Sequence, residues 1–263
     1  MNTTASPSSS SSVVGADAGL TSPLHRGVIR IGNLLFLVRD YLFPVLFVVL
    51  LCTTWPRLPF ASVRGDWWMD LCGLLVAALG QGSRILATSS GDNIRRGGRK
   101  KHVSAATLIS NGFFAQSRNP LYLGNLLIFC GLTVIANSYA WYFLALPVMI
   151  GVYWAIVLAE EDFLARRFGA PYADYCRTVN RFLPKLTGLR AALADCHFDW
   201  PRIARKESRI ACSWLSMAIG LLIWERWQRG ELASRGIESF DLVIVVTVVG
   251  VGYVRMRWGG KSE

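Results

Sequence analysis

Apolar runs close to the length of a bilayer crossing recur along this chain, and the gaps between them are basic. A spanning helix needs about 20 largely apolar residues. Six such stretches can be drawn, at 34–53, 67–87, 121–137, 139–159, 210–225 and 239–255. Only Asn137 and Ser138 separate the third from the fourth, which makes them a tight helical hairpin. With 52% hydrophobic residues, a mean hydropathy of +0.36 and ten tryptophans, the composition agrees with this pattern and not with a soluble domain. The fold expected is all-α: a polytopic membrane bundle of about six spans, with a short cytosolic helical cap between spans four and five.

The net charge of +11 raises the possibility of a nucleic-acid partner, but its distribution excludes that class. The positive charges fall in the gaps, which is where Lys and Arg set topology and meet anionic headgroups. Fifteen Lys and Arg residues occupy 95–101 and 166–209, against five in the opposite gaps: Arg57, Arg64, Arg226, Arg229 and Arg235. The first set therefore faces the cytoplasm, together with both termini. Six cysteines without a CxxC pair and three widely separated histidines give no metal or disulfide framework. The Ser/Thr-rich N-terminus lacks the early apolar core of a signal peptide. The organisation expected is a disordered tail over 1–30, a membrane core with its cap over 31–209, and two further membrane helices over 210–263.

Polar groups at membrane depth are costly and mark function, and two sites stand out. The first is Ser117-Arg118-Asn119-Pro120-Leu121-Tyr122-Leu123-Gly124-Asn125, which opens the third span. Pro120 lacks a backbone donor and disfavours helix in Asn119, so irregular backbone is expected there. Such backbone survives at membrane depth only inside protein or beside a cavity. The new helix N-terminus also suits a carboxylate. The second site is Glu160-Glu161-Asp162, at the end of the fourth span. Carboxylates at a helix C-terminus oppose the macrodipole by about 0.3–1 kcal/mol, so a cation such as a ligand ammonium is expected beside them. Beyond them, Glu160 to Phe168 continues with helical spacing, Gly169 is a stop signal, and Pro171 suits the first turn of a short helix reaching Val179. Upstream, the basic stretch from Asp92 to His102, with Gly97-Gly98 inside it, reads as a headgroup-binding loop or a flap over a ligand.

These motifs carry a resemblance. Thr107-Leu108-Ile109, Gly112, Phe114, Ser117-Arg118-Asn119-Pro120, Tyr122 and Gly124, followed by Glu160-Glu161, Leu164, Phe168-Gly169, Tyr172, Tyr175, Val179 and Arg181-Phe182-Leu183-Pro184, resemble the isoprenylcysteine carboxyl methyltransferase family, which has relatives among membrane phospholipid methyltransferases. The resemblance covers about residues 70–185. It implies a membrane-embedded methyltransferase that uses S-adenosyl-L-methionine, holds it under a C-terminal cap reached from the cytosol, and takes a lipophilic or lipid-modified acceptor from the bilayer. By the same resemblance Ala106, Thr107, Leu108, Ile109, Phe114, Asn119, Pro120, Leu121 and Tyr122 surround the cofactor, and Glu160 takes its amino group.

Three positions depart from the family pattern, and the third bears on the acceptor. Asn119 stands where relatives often have His, and Phe114 where many have Tyr. Ile156 stands where the eukaryotic prenylcysteine enzymes carry a substrate-binding arginine. An isoprenylcysteine-like carboxylate is therefore one candidate acceptor and a phospholipid amine another. No histidine lies near the motifs, so no catalytic base is assigned. Two rival readings are a reductase of the NADPH-dependent sterol type, which shares a Tyr-x-x-Tyr-Cys cap like Tyr172 to Cys176, and a scaffold that has lost the chemistry.

Overall fold

The computed structural model describes residues 23–53, 62–90, 107–185 and 187–230. Among them every regular element is helical. The stretch 239–255, the basic loop from Asp92 to His102 and Ala106 lie outside the described residues.

Seven α-helices follow in order: α1 Pro23–Thr53, α2 Val63–Ser89, α3 Pro120–Ala136, α4 Leu146–Phe168, α5 Ala170–Thr178, α6 Leu189–Ala194 and α7 Trp200–Gln228. A 3-10 turn, Gly112–Ala115, precedes α3, and a π-helical turn, Trp141–Ala145, runs directly into α4. By length and composition Arg64–Ser89 and Trp141–Phe168 suffice to cross a membrane, and Pro120–Ala136 is a shorter apolar helix. Helices α1 and α7 contain the stretches 34–53 and 210–225.

Helix boundaries depart from the sequence reading in three places. Helix α1 begins at Pro23, inside the stretch read as a tail, with proline in the first turn where its missing N–H costs nothing. Helix α4 stops at Phe168, where Gly169 takes φ +58° as its stop signal predicted, but it runs unbroken through residue 159, so the acidic cluster lies inside the helix and not at its C-terminus. Helix α7 starts at Trp200, inside the stretch read as cap, where the Asp199 carboxylate accepts from the Arg202 N–H at 3.2 Å.

Among the described helices α2 and α3 share the most extensive contact, and glycines allow it. A Cβ added to Gly73 would lie 2.6 Å from the Gly131 carbonyl oxygen, and one added to Gly80 would lie 2.6 Å from that of Gly124. On each helix the two glycines are about two turns apart, hence on one face, and they pair antiparallel. Gly82, which the sequence also offers for close packing, meets nothing within 4 Å. The hairpin from α3 to α4 turns where Asn137 takes φ 38° and its N–H bonds back to Thr133 O. Just beyond it, Trp141 is fully buried, stacked on Phe129 with centroids 5.9 Å apart and edge-on to Phe47 at 5.8 Å.

Helices α2 and α7 run side by side in opposite directions. At one end His197 N–H donates to Ser89 O at 2.9 Å, and at the other Arg229 pairs with Asp66 at 2.5 Å. The 23 residues from Asp66 to Ser89 set these ends about 35 Å apart at 1.5 Å per residue.

Candidate active site under the helical cap

The site is assembled around the start of α3. Asn119 has φ −128° and ψ 53°, outside the helical region as a residue before proline should be, and its side chain makes no helix cap. Its amide is therefore available for tertiary contacts. Asn119 Nδ2 donates to Glu161 Oε1 at 3.2 Å and to Arg181 O at 3.2 Å. Arg118 Nη1 lies 3.6 Å from the same Glu161 oxygen, and Arg181 binds the other through Nε at 2.9 Å and Nη2 at 2.8 Å. One carboxylate thus gathers two guanidiniums and an amide from two segments.

The cap closes over this cluster through backbone bonds. Arg118 N–H donates to Asn180 O at 2.9 Å, Ser117 Oγ to Phe182 O at 2.8 Å, and Lys185 N–H to Gln116 O at 3.0 Å. The Tyr175 hydroxyl donates to Phe114 O at 2.7 Å. Tyr172, Tyr175 and Val179 form an apolar cluster that takes in Leu108, Leu164 and Phe168. Arg181 lies over Trp154, 5.1 Å from its ring centroid, and Trp154 in turn meets Phe182 at 5.8 Å.

This burial leaves an electrostatic imprint. It disfavours the Arg118 guanidinium, but Glu161 and the Cys176 thiol, which accepts a hydrogen bond from Arg118 Nη1, outweigh it and hold the group above its ordinary range. Burial first, and then the neighbouring Glu161, pushes the Tyr172 phenol up. Burial does the same for Tyr175, where Arg118 partly counteracts it.

The residues singled out from sequence divide between two zones. Leu108 and Phe114 meet α5, Asn119 joins the acidic cluster, and Pro120 is buried with its carbonyl accepting from Ser83 Oγ at 3.2 Å. Thr107 and Ile109 lie in coil, exposed and half-buried respectively. Leu121 and Tyr122 face inward to a cavity of about 250 Å³. Glu160 is buried and makes other contacts, and it is its neighbour Glu161 that Asn119 reaches. Successive helical residues point about 100° apart, so one acid of the pair faces α3 and the other does not.

The cavity lies inside the bundle, beside the first turns of α3. Its polar lining includes Arg39, Arg84, Tyr122, Asn125 and Tyr153, and its apolar lining includes Phe129, Met149, Trp214 and Met217. Arg39 Nη1 donates to the Tyr122 hydroxyl at 3.3 Å and stacks on Phe36, so it turns into the bundle rather than toward headgroups. Arg84 is held by Asn125 Oδ1 at 2.7 Å and by both oxygens of Glu207, which also accepts from Thr88 Oγ1 at 2.9 Å. Sequence reasoning passed over Arg84, Glu207 and Arg39 as site residues. A charge inside an apolar stretch was an available signal for Arg84, whereas Glu207 becomes legible only once α7 returns beside α2. Ile156, fully buried in an apolar cluster with Tyr122, Met149, Tyr153 and Val157, leaves α4 without a guanidinium there.

Residues 70–171 match the phospholipid methyltransferase family. Over 90 residues the chain is 33% identical to the cobalt-zinc-cadmium resistance protein CzcN of Cupriavidus metallidurans, a match covering 34% of this chain and 39% of that relative's length. No solved structure matches. The apolar helices and the family together indicate a membrane-associated protein. Most of α2, all of α3 and α4, and both Asn119 and Glu161 fall inside the segment that matches the phospholipid methyltransferase family.

Proposed function

We propose that the chain is an integral membrane methyltransferase that uses S-adenosyl-L-methionine and methylates a lipophilic acceptor at the cytoplasmic face, as a multi-pass protein of about six spans with both termini cytoplasmic. The observation that carries this reading is the hydrogen bond from Asn119 to Glu161, which joins two motifs 42 residues apart under the cap, within the matched segment.

The residues present fit the cofactor. Arg118 Nε is buried with no hydrogen-bond partner among the described residues, and Arg118 Nη1 lies 3.6 Å from Glu161 on α4. Opposed charges of this kind suit a zwitterionic amino-acid group, with Arg118 toward its carboxylate and the acids toward its ammonium. Leu108, Ile109 and Phe114 supply apolar walls, and Asn119 to Tyr122 the floor. When bound, the cofactor supplies a methyl group on a sulfonium. Displacement at that carbon asks the protein for alignment and for exclusion of water more than for proton transfer. Proximity and orientation are worth about 7–11 kcal/mol in favourable cases.

For the acceptor, the cavity beneath Tyr122 offers an apolar body and a polar end. Arg39 on α1 brings to that end guanidinium character that α4 lacks at Ile156, while the Arg84 charge is already met by Glu207. This favours an acceptor with an anionic group near its reacting atom, and a carboxylate needs no base. A phospholipid amine is the second acceptor class, supported by the name of the matched family.

Two experiments test the reading. Isothermal titration of the purified chain with S-adenosylhomocysteine and with NADPH should show binding of the first only, and binding of neither points to a scaffold. Membranes given a radiolabelled methyl donor should then place label in the lipid-extractable fraction, base-labile if the product is a methyl ester and base-stable if it is a methylated amine. Glu160→Ala should weaken S-adenosylhomocysteine, and unchanged affinity would remove that residue from the site.

A further inference from the structure

A second polar cluster lies at the far end of the bundle from the cap, and the proposed methyl-transfer chemistry does not use it. Asp66 and Asp70 stand one turn apart on α2, and Glu225 reaches them from the last turn of α7. One oxygen from each carboxylate lies within 4.8 Å of the others.

The partners of these acids are incomplete. Arg229 Nη1 pairs with Asp66 Oδ2 at 2.5 Å. Glu225 is 1% exposed, and neither of its oxygens has a hydrogen-bond partner; Asp70 Oδ1 is likewise buried without one. Arg226 contributes positive charge nearby without bonding to either oxygen of Glu225. An uncompensated buried carboxylate costs several kcal/mol, and Glu225 at the C-terminal end of its helix also opposes the macrodipole. Arg229 satisfies Asp66, whereas Asp70 and Glu225 keep buried oxygens without a partner, which a divalent ion would take as ligands.

The spacing and the donor type agree on that ion. Oxygen ligands at about 2.0–2.6 Å from a metal lie roughly 3–5 Å from one another, which includes the separations here. A donor set made only of carboxylates suits hard cations of the magnesium, manganese and calcium class, not the soft metals that take thiolates. Trp67, Trp68 and Trp227 stand exposed around this end, as aromatic side chains do at a membrane–water interface. An ion therefore reaches the cluster from water without crossing the bilayer.

We propose that Asp66, Asp70 and Glu225 form a binding site for one divalent, oxygen-preferring cation that ties the start of α2 to the end of α7, about 35 Å from the cap. The ion would lock the last described helix onto the core from the side opposite the active site.

The test is titration of Mn²⁺ into the full-length chain, stripped with EDTA and held in nanodiscs of phosphatidylcholine only, read by calorimetry and by the electron paramagnetic resonance of Mn²⁺. One ion per chain is expected, with a higher unfolding temperature when it is bound. Asp70→Asn and Glu225→Gln should each weaken the affinity by about tenfold or more, because ligand charge sets the affinity of such sites. Asp174→Asn, an exposed acid on α5, should leave it unchanged. Wild-type chain that takes up no Mn²⁺ overturns the proposal, and this result needs no variant to fold. Binding that is non-stoichiometric, or equally tight in folded Glu225→Gln, overturns it as well and marks adventitious ion binding. Loss of S-adenosylhomocysteine binding would overturn the function proposed above without touching this site.

Discussion

Arg84 holds both carboxylate oxygens of Glu207, at 2.8 Å and 3.2 Å, across 123 residues of sequence. Both side chains are nearly inaccessible to water, and Gln81 and Thr88 complete the shell of the acid. The pair fixes α7 to α2 at the level where α3 carries Asn125 into the cavity.

Removal of one partner leaves the other charged and buried. Glu207→Ala should therefore cost about 3–5 kcal/mol, seen as a large drop in unfolding temperature in detergent. The double variant Arg84→Met, Glu207→Leu should recover much of that loss, because apolar side chains of similar volume avoid the desolvation penalty. A double-mutant cycle on thermal or denaturant unfolding measures the coupling.

Glu161 has a comparable role for the cap. Glu161→Ala leaves Arg118, Asn119 and Arg181 without their shared acceptor, so the cap should open before the bundle unfolds. Limited proteolysis across 170–200 should accelerate by roughly tenfold, the factor that corresponds to about 1.4 kcal/mol. Glu161→Gln, which keeps an acceptor for Asn119, should be cut at an intermediate rate.

The helix crossing gives a paired prediction. Gly80→Ala puts a methyl 2.6 Å from the Gly124 carbonyl oxygen and 2.8 Å from Ile128 N, both backbone atoms that cannot yield without separating α2 from α3. A loss of about 1–3 kcal/mol is expected, as for other overpacked sites. Gly82→Ala, two residues away with nothing within 4 Å, should be neutral or slightly stabilising, since alanine is the better helix former by about 1 kcal/mol. Thermal melts of the two variants side by side decide it.

The cap should also be sensitive to alkali. Burial holds the phenols of Tyr172 and Tyr175 above their usual range, whereas in an opened cap they lose their protons near pH 10, the ordinary tyrosine value of about 10. The folded cap binds those protons more tightly, so its stability is complete below that pH and falls as pH rises beyond it. Hydrogen exchange in α5 should show protection steady up to about pH 10 after correction for intrinsic rates, then declining. Tyr175→Phe removes the bond to Phe114 O, costing about 0.5–1.5 kcal/mol, and should make that decline shallower.

Periodicity and composition were informative where physics is local. Spans and turns could be read because apolar runs of membrane length have few alternatives, and Pro120, Gly169 and Pro171 restrict the backbone wherever they occur. The six-span count extends beyond the described residues, which include two helices that meet the length and composition of a crossing and a shorter apolar one. For the site, the sequence supplied both motifs but not which acid of the pair faces Asn119. That choice depends on the rotation of α4, and an unbroken helix from Leu146 to Phe168 turns Glu161 toward α3.

What the residues determined by themselves was class: helical, membrane-associated, with a proline-broken helix start and an acidic cluster where an apolar run ends. These follow from local backbone limits and from the cost of polar groups in lipid. Tertiary structure alone decided the partnerships: Arg84 with Glu207, Arg229 with Asp66, Gly73 with Gly131, and the three carboxylates Asp66, Asp70 and Glu225 gathered at one end. Each joins residues distant in sequence, and a buried charge or a backbone in close approach acquires its energy only from the neighbour that packing brings to it.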